Sequence, residues 1–267
     1  MINNSHQDSV FHISHLFLLF LFIMVAGYLV ATIFLYQKGK RWPIIRCCLW
    51  LLGWACIGST FVGPIADQAL HHFLFHMIGH ILIGMLAPLL LVLARPMTLL
   101  FNILPVKYAR RLTTVLKSWP FKVLSDPTVT AVLNIGGLVV LYKTELFSLM
   151  HDHFILASLI HLHMFLAGFA FTFSILCMDP TAHKRSFTYR AIVLILAIAA
   201  HGLLSKYMYA HPPLGVSQKE AELGAMLMYY GGDVIDLGLV YFLCQEWYRV
   251  RGRRLEIHKK TSYYLKG

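Results

Sequence analysis

Long apolar stretches, separated by short clusters of charged and turn-forming residues, run through almost the whole chain. A helix crossing a hydrocarbon core of about 30 Å needs roughly 20 apolar residues at 1.5 Å rise per residue. Seven stretches reach or approach that length: Ile13 to Tyr36, Ile44 to Gly63, His72 to Ala94, Pro127 to Phe147, Phe154 to Met178, Arg190 to Tyr209 and Glu222 to Glu246. Barrel strands would instead alternate over segments of about ten residues. The pattern predicts an all-α integral membrane helical bundle of about seven transmembrane helices. It forms one polytopic domain over residues 1–267, ending in a basic tail at 247–267. The first stretch is too long for a signal-peptide core, and Met1 to Val10 contains no Lys or Arg, so it is expected to be a retained span.

Composition agrees. Hydrophobic residues make up 58% of the chain, charged residues 13%, and mean hydropathy is +0.66. Soluble domains carry roughly 25% charged residues, so this chain has too few to make a hydrated shell. Secreted disulfide scaffolds, soluble enzymes and nucleic-acid binders are thereby excluded, despite a net charge of +11. That charge has a topological origin, because Lys and Arg are retained on the cytoplasmic side of a membrane. With the N-terminus outside and the C-terminus cytoplasmic, the inner loops and tail collect all of the 23 basic residues except Lys143, Lys206 and Lys219.

Between the third and fourth stretches, Tyr108, Leu112, Val115, Leu116 and Trp119 recur at helical spacing, with Arg110, Arg111 and Lys117 on other faces. This reads as a helix lying on the inner leaflet. Cys47, Cys48, Cys177 and Cys244 fall in the cytoplasmic halves of their spans and Cys56 near the middle, with no Cys-x-x-Cys pair, so neither a disulfide nor a thiol redox motif is indicated.

The 15 histidines are distributed the other way, mostly outside or in the outer half of the bundle. His72, His76 and His80 follow at i, i+4 and i+8 and line one face of the third span. His161 and His163 lie a little way into the fifth span, and His201 lies below the outer end of the sixth. At 1.5 Å per residue, His80, His161 and His201 each sit roughly 10 to 14 Å beneath the outer boundary. His161 and His163 are about 200° apart around their helix, so at most one faces a shared site. Ionisable side chains within spans are costly and face a cavity or site by default. Met77, Met208, Met226 and Met228 share this layer, with Asp233 and Asp236 below. Imidazole and thioether without an outer thiolate suit Cu(I), with zinc as an alternative. Binding should weaken in acid as the imidazoles protonate near their ordinary value of about 6.5.

His72-Phe73-Leu74-Phe75-His76-Met77-Ile78-Gly79-His80, continuing through Met85-Leu86-Ala87-Pro88-Leu89-Leu90 to Arg95-Pro96, resembles the third-span signature of the multi-span CtaG family, assembly factors for caa-type and related cytochrome c oxidases. Glu220-Ala221-Glu222-Leu223-Gly224-Ala225-Met226-Leu227-Met228-Tyr229 is similar to that family's Asp-Gln-x-Leu-Gly-Gly-x-x-Met-Trp pattern, with Glu220, Ala221, Ala225 and Tyr229 departing from it. The resemblance implies a protein of the bacterial plasma membrane that helps insert copper into a haem-copper oxidase from the outer side. Its partners would be cytochrome c oxidase subunits, membrane lipid and an outer-side copper chaperone, with no nucleic acid. On that reading His76 and His80 are the primary copper ligands, His161 and His201 complete the set, Met228 is an optional soft ligand, and His72 stands at the outer end of the row. Two alternatives come from other classes: a haem-binding membrane electron-transfer protein, and a scaffold whose histidines are structural. No lysine lies in Glu222 to Glu246 for a retinal Schiff base, and no paired nucleophile and base has recognisable spacing, so the chain is not expected to be an enzyme.

Overall fold

The structure, a computed structural model, describes the backbone of residues 2–69, 71–180 and 183–264, and the side chains of 16–69, 71–150, 153, 155–180 and 183–252. The tail's Arg253, Arg254, Lys259, Lys260 and Lys266 lie outside the described side chains. Among the described residues all regular structure is helical: α1 (Ile2–Gln37), α2 (Ile44–Ser59), α3 (Pro64–Ala69), α4 (Phe73–Ile81), a π-helical turn (Leu82–Leu86), α5 (Ala87–Leu93), α6 (Pro96–Ile103), α7 (Val106–Leu116), α8 (Trp119–Leu124), α9 (Pro127–Lys143), α10 (Leu146–Asp152), α11 (Phe154–Leu176), α12 (Phe187–Ala210) and α13 (Gln218–Tyr264).

Among the described residues, five helical segments are long and apolar enough to cross a membrane: Leu16–Gln37, Phe73–Ile103, Ile155–Leu176, Phe187–Ala210 and Gln218–Gly252. The other two expected spans form apolar but shorter helices, α2 and α9. Each stops where turn chemistry intervenes. The second ends in a Gly58-Ser59-Thr60 sequence whose hydroxyls turn back onto the carbonyls of Cys56 and Ile57, and the fourth ends at Lys143-Thr144-Glu145.

The third apolar stretch is the axis of the bundle, with 61% of its most apolar window buried, against 6% for the first. Around it, α4 packs on α13, the π turn on α11, and α5 on α2 and α11, while α12 bridges α13 and α9. The first helix lies at the periphery against α2 and α6.

The π turn has a local cause. Pro88 has no N–H to give the carbonyl four residues back, Gly84, and its ring crowds that carbonyl. The helix responds with a wider loop, the Ala87 N–H reaching Leu82 O. The Gly84 carbonyl so released is met by α11: a methyl group on Gly168 would lie 2.0 Å from Gly84 O. Only a hydrogen fits there, so the pair of glycines lets α11 pass close beside the axis helix.

Beyond the π turn the axis breaks at Arg95, which adopts φ 55°. The carbonyl of Ala94 accepts the Tyr28 hydroxyl at 2.8 Å, and Tyr28 accepts the Trp42 indole N–H at 3.0 Å. The first amides of α6, from Met97 and Thr98, donate to the Asp179 carboxylate at 3.3 and 2.9 Å. Every backbone group freed by the break thus named has a partner, as a low-dielectric setting demands.

Asp126 performs the equivalent task at the start of α9. Its Oδ1 accepts the Thr128 N–H and the Tyr189 hydroxyl, each at 3.0 Å, and its Oδ2 accepts Arg185 Nε at 2.9 Å and Nη2 at 2.6 Å. Burial pushes this carboxyl up, but Arg185, Tyr189 and the Thr128 amide outweigh it and hold it below the ordinary carboxylate range. The stability it contributes is therefore fully present above the ordinary aspartate value of about 3.9 and is lost as pH falls through the lower folded value. Asp126→Ala is expected to lower stability by about 1 kcal/mol through the lost cap alone. In thermal unfolding of the detergent-solubilised protein, its deficit should be largest at neutral pH and shrink in acid. A deficit independent of pH would mean that the carboxylate charge contributes nothing.

Candidate functional site

The histidines that share a depth in the sequence also share the interior. His76, His80 and His201 are 5%, 3% and 4% exposed, and His161 is partly buried beside them. They fall into two tiers, because His80 lies one turn, about 5 to 6 Å, further along α4 than His76. The ring centres of His76 and His161 are 6.4 Å apart, and those of His80 and His201 are 6.2 Å apart with planes inclined by 30°. Tyr142 on α9 stands against both tiers, 6.1 Å from His76 and 6.4 Å from His80 between ring centres, and its hydroxyl is 3.2 Å from His76 Nε2.

The tiers differ in hydrogen bonding. In the first, His76 engages Tyr142, and His161 Nδ1–H donates to the Ala157 carbonyl at 2.7 Å. That bond selects the tautomer whose Nε2 carries the lone pair, the form in which an imidazole ligates a metal. In the second tier, Nδ1 and Nε2 of His80 and Nε2 of His201 are buried with no hydrogen-bond partner among the described residues. Each unpaired buried polar atom costs about 1–3 kcal/mol. Both rings line a narrow cavity of about 20 Å³ that also borders Asn134, Thr172 and Asp236, room for about one water-sized body.

Small residues make this space. A Cβ on Gly232 of α13 would lie 2.6 Å from His201 Cε1, so glycine is what lets that ring lie against the helix. Gly84 is in ordinary contact with the His80 ring, its Cβ position 3.4 Å from Nδ1.

The remaining candidates lie elsewhere. His72 caps α4 at the rim, with its side chain 53% exposed, and its Nδ1 lies 3.1 Å from Glu220 Oε1. His163 is directed away from the cluster, with Nε2 3.3 Å from the Leu133 carbonyl and close against Gly137, so His161 is the member of this pair that joins. Met228 is fully buried in the same core cluster as Met77 and Met208, whereas Met226 is 40% exposed. Among the described residues, no group of three His, Cys, Asp or Glu side chains lies at metal-binding separation. The expected single set of four histidines is thus present as two pairs.

Sequence reasoning did not single out Tyr142, whose position near one end of an apolar stretch resembles an ordinary interfacial aromatic. Asn134, Thr172 and Asp236 were equally uncommitted, although Asp236, an ionisable residue within a span, was a visible signal.

Two imidazoles facing across a narrow cavity suit a soft or borderline cation. A ligating nitrogen lies about 2.0 to 2.1 Å from such a metal, and rings 6.2 Å apart leave room for one ion between a nitrogen of each. A haem would need a macrocycle's breadth between them, which a cavity of about 20 Å³ does not supply.

An uncharacterized protein of Mycobacterium bovis is 27% identical over 186 residues, which is 67% of this chain and 28% of that protein. Uncharacterized proteins of Mycobacterium tuberculosis and Mycobacterium leprae match over the same length at 27% and 25% identity. The chain therefore spans less than a third of the length of the curated relatives it matches, 28% in each case. No solved structure matches it. Residues 26–250, which include the four clustered histidines, match the family described as cytochrome c oxidase caa3 assembly factor, and the chain belongs to that family.

Proposed function

We propose that this membrane protein takes up Cu(I) at its buried histidine pairs and assists its insertion into a haem-copper cytochrome c oxidase, acting from the outer side of the bacterial plasma membrane. The reading rests on three buried imidazole nitrogens, two on His80 and one on His201, that have no hydrogen-bond partner among the described residues. Histidines retained only to tie helices together would spend those nitrogens on hydrogen bonds, as His163 does. A Cu(I) ion needs neutral imidazole lone pairs, and a site of neutral nitrogens releases its cargo by ligand exchange. His76 and His161 form the outer station and His80 and His201 the inner one, with Met228, buried in the same core cluster as Met77 and Met208, as an optional soft ligand. His72 and Glu220 mark the rim at which an outer-side copper chaperone would deliver. The direct experiment is titration of the purified, reduced protein with Cu(I) against a chromophoric chelator. Binding of about one ion supports the reading, and its absence removes it.

The same proposal includes seven spans, an outer N-terminus and a cytoplasmic tail, with α2 and α9 crossing as short helices. At 16 and 17 residues they extend about 24 to 26 Å, a mismatch that bilayer thinning and flanking residues accommodate. Between them α7 lies on the inner surface, where Val106, Tyr108 and Val115 are exposed for lipid to cover. Reporter fusions after Lys122 and Lys260 should read cytoplasmic, and one between Lys143 and His153 external. The same side reported at Lys122 and His153 would show that the α9 region does not cross.

A further inference from the structure

At the opposite end of the bundle from His72, the start of α12 and the far part of α13 enclose a cleft of about 600 Å³ lined by Lys184, Arg185, Phe187, Arg190, Glu246, Trp247 and Arg251 among others. Four cations border it and one carboxylate. Arg190, only 2% exposed, donates Nη1 to the Ile175 carbonyl at 2.5 Å and Nη2 to Glu246 at 2.7 Å, and its buried Nε–H has no partner among the described residues. Glu246 also binds Lys184, and Arg185 is held by Asp126. Glu246 thus divides one negative charge between two cations. Arg251 pairs with no carboxylate among the described residues, its guanidinium lying 5.0 Å from the Trp247 ring centre. The cleft keeps an excess of positive charge in a half-enclosed space, the setting in which a multidentate oxyanion binds.

The surroundings identify the carrier of that anion. The cleft lies where α12 begins and where the apolar sequence of α13 gives way to the basic run Arg249, Arg251, Arg253 and Arg254. Trp247 packs against Phe187 with ring centres 5.5 Å apart, an aromatic pair of the kind that marks a membrane surface. From there, exposed Ile192, Ile195 and Val250 give the adjoining helix surfaces an apolar face. We infer that this cleft is a binding site for the phosphate headgroup of an anionic glycerophospholipid, whose acyl chains run along α12 and α13. Basic pockets between membrane helices on the cytoplasmic side recognise such headgroups.

The test measures phospholipid retained by the full-length protein, purified in an uncharged detergent and exposed to equal amounts of phosphatidylglycerol and phosphatidylcholine. Wild type should retain phosphatidylglycerol in preference. Arg251→Gln should lower that retention about fivefold, the effect of one cation near an anionic headgroup. Arg110→Gln, the same charge change on exposed α7, should leave it unchanged. Equal retention of the two lipids, or equal losses in the two variants, would overturn the site. Inorganic phosphate supplies the other arm: millimolar phosphate should not displace the lipid, and full displacement would show that the occupant is a soluble phosphate instead. Glu246→Gln, which releases both cations from their internal partner, should raise phosphatidylglycerol retention, and a fall with the protein intact would contradict the charge argument.

Discussion

Replacing Gly168 with alanine is expected to destabilise the protein by about 3 kcal/mol, the upper end of what an added methyl costs in a packed interior. The added carbon would lie 2.0 Å from the Gly84 carbonyl oxygen and 3.4 Å from the Pro88 ring. The first of these is backbone, fixed by the π turn, and cannot rotate away, so α11 itself must move. Gly27→Ala is the internal comparison, since nothing lies within 4 Å of its Cβ position. In a helix that change should be neutral or stabilise by up to about 1 kcal/mol. Thermal unfolding of the two variants in one detergent separates them. A Gly168→Ala protein as stable as Gly27→Ala would mean that α11 does not approach the π turn this closely. Because α11 carries His161, the same displacement should also loosen the outer histidine pair.

That histidines from three helices would gather in one part of the bundle was legible in the sequence because helical rise converts residue number into distance. The single depth expected for His80, His161 and His201 is not what forms: His161 stands beside His76, one turn from the His80 and His201 pair. His80, His161 and His201 could be counted down from span ends, and the structure brings their helices together. Their division into two tiers was not legible. Which imidazole faces which depends on how α4, α11 and α12 rotate against one another, and that rotation is set by close approaches such as Gly168 on Gly84 and Gly232 on His201, which no periodicity along one helix reveals. His161 and His163 could be recognised as alternatives from their angular separation, but the choice needed the partner: Gly137 leaves room for His163 on the far side. His72 belonged to the face by spacing, yet the helix begins at Phe73, and a residue at its cap is drawn to Glu220 at the rim. The ends of the second and fourth apolar stretches were overrun for a related reason. Hydropathy continues past Ser59 and Lys143, while hydrogen bonds from Ser59, Thr60 and Thr144 end the helices there.

The second large effect concerns the inner pair. Loss of a group that merely supports a metal ligand reduces affinity 10- to 100-fold, so removal of a ligand from a two-imidazole site should exceed about a hundredfold. Glutamine can still donate and accept hydrogen bonds, which makes it a discriminating replacement. If His80 and His201 are structural, an amide satisfies the neighbourhood as well as the imidazole did. If they hold Cu(I), it does not. His76→Asn should weaken binding less, because His80 and His201 remain, while still lowering the yield of active oxidase by slowing loading. His183→Gln, whose imidazole lies 3.3 Å from the Lys117 carbonyl far from the cluster, should change neither copper binding nor oxidase yield.

Whether the inner pair holds copper is decided by Cu(I) affinity in the reduced, purified wild type and in His80→Gln and His201→Gln, each checked for unchanged abundance and thermal unfolding. About one ion should bind to wild type, with affinity at least about a hundredfold lower in both variants. Folded variants that bind Cu(I) as tightly as wild type would contradict the assignment and leave the inner pair as structural histidines.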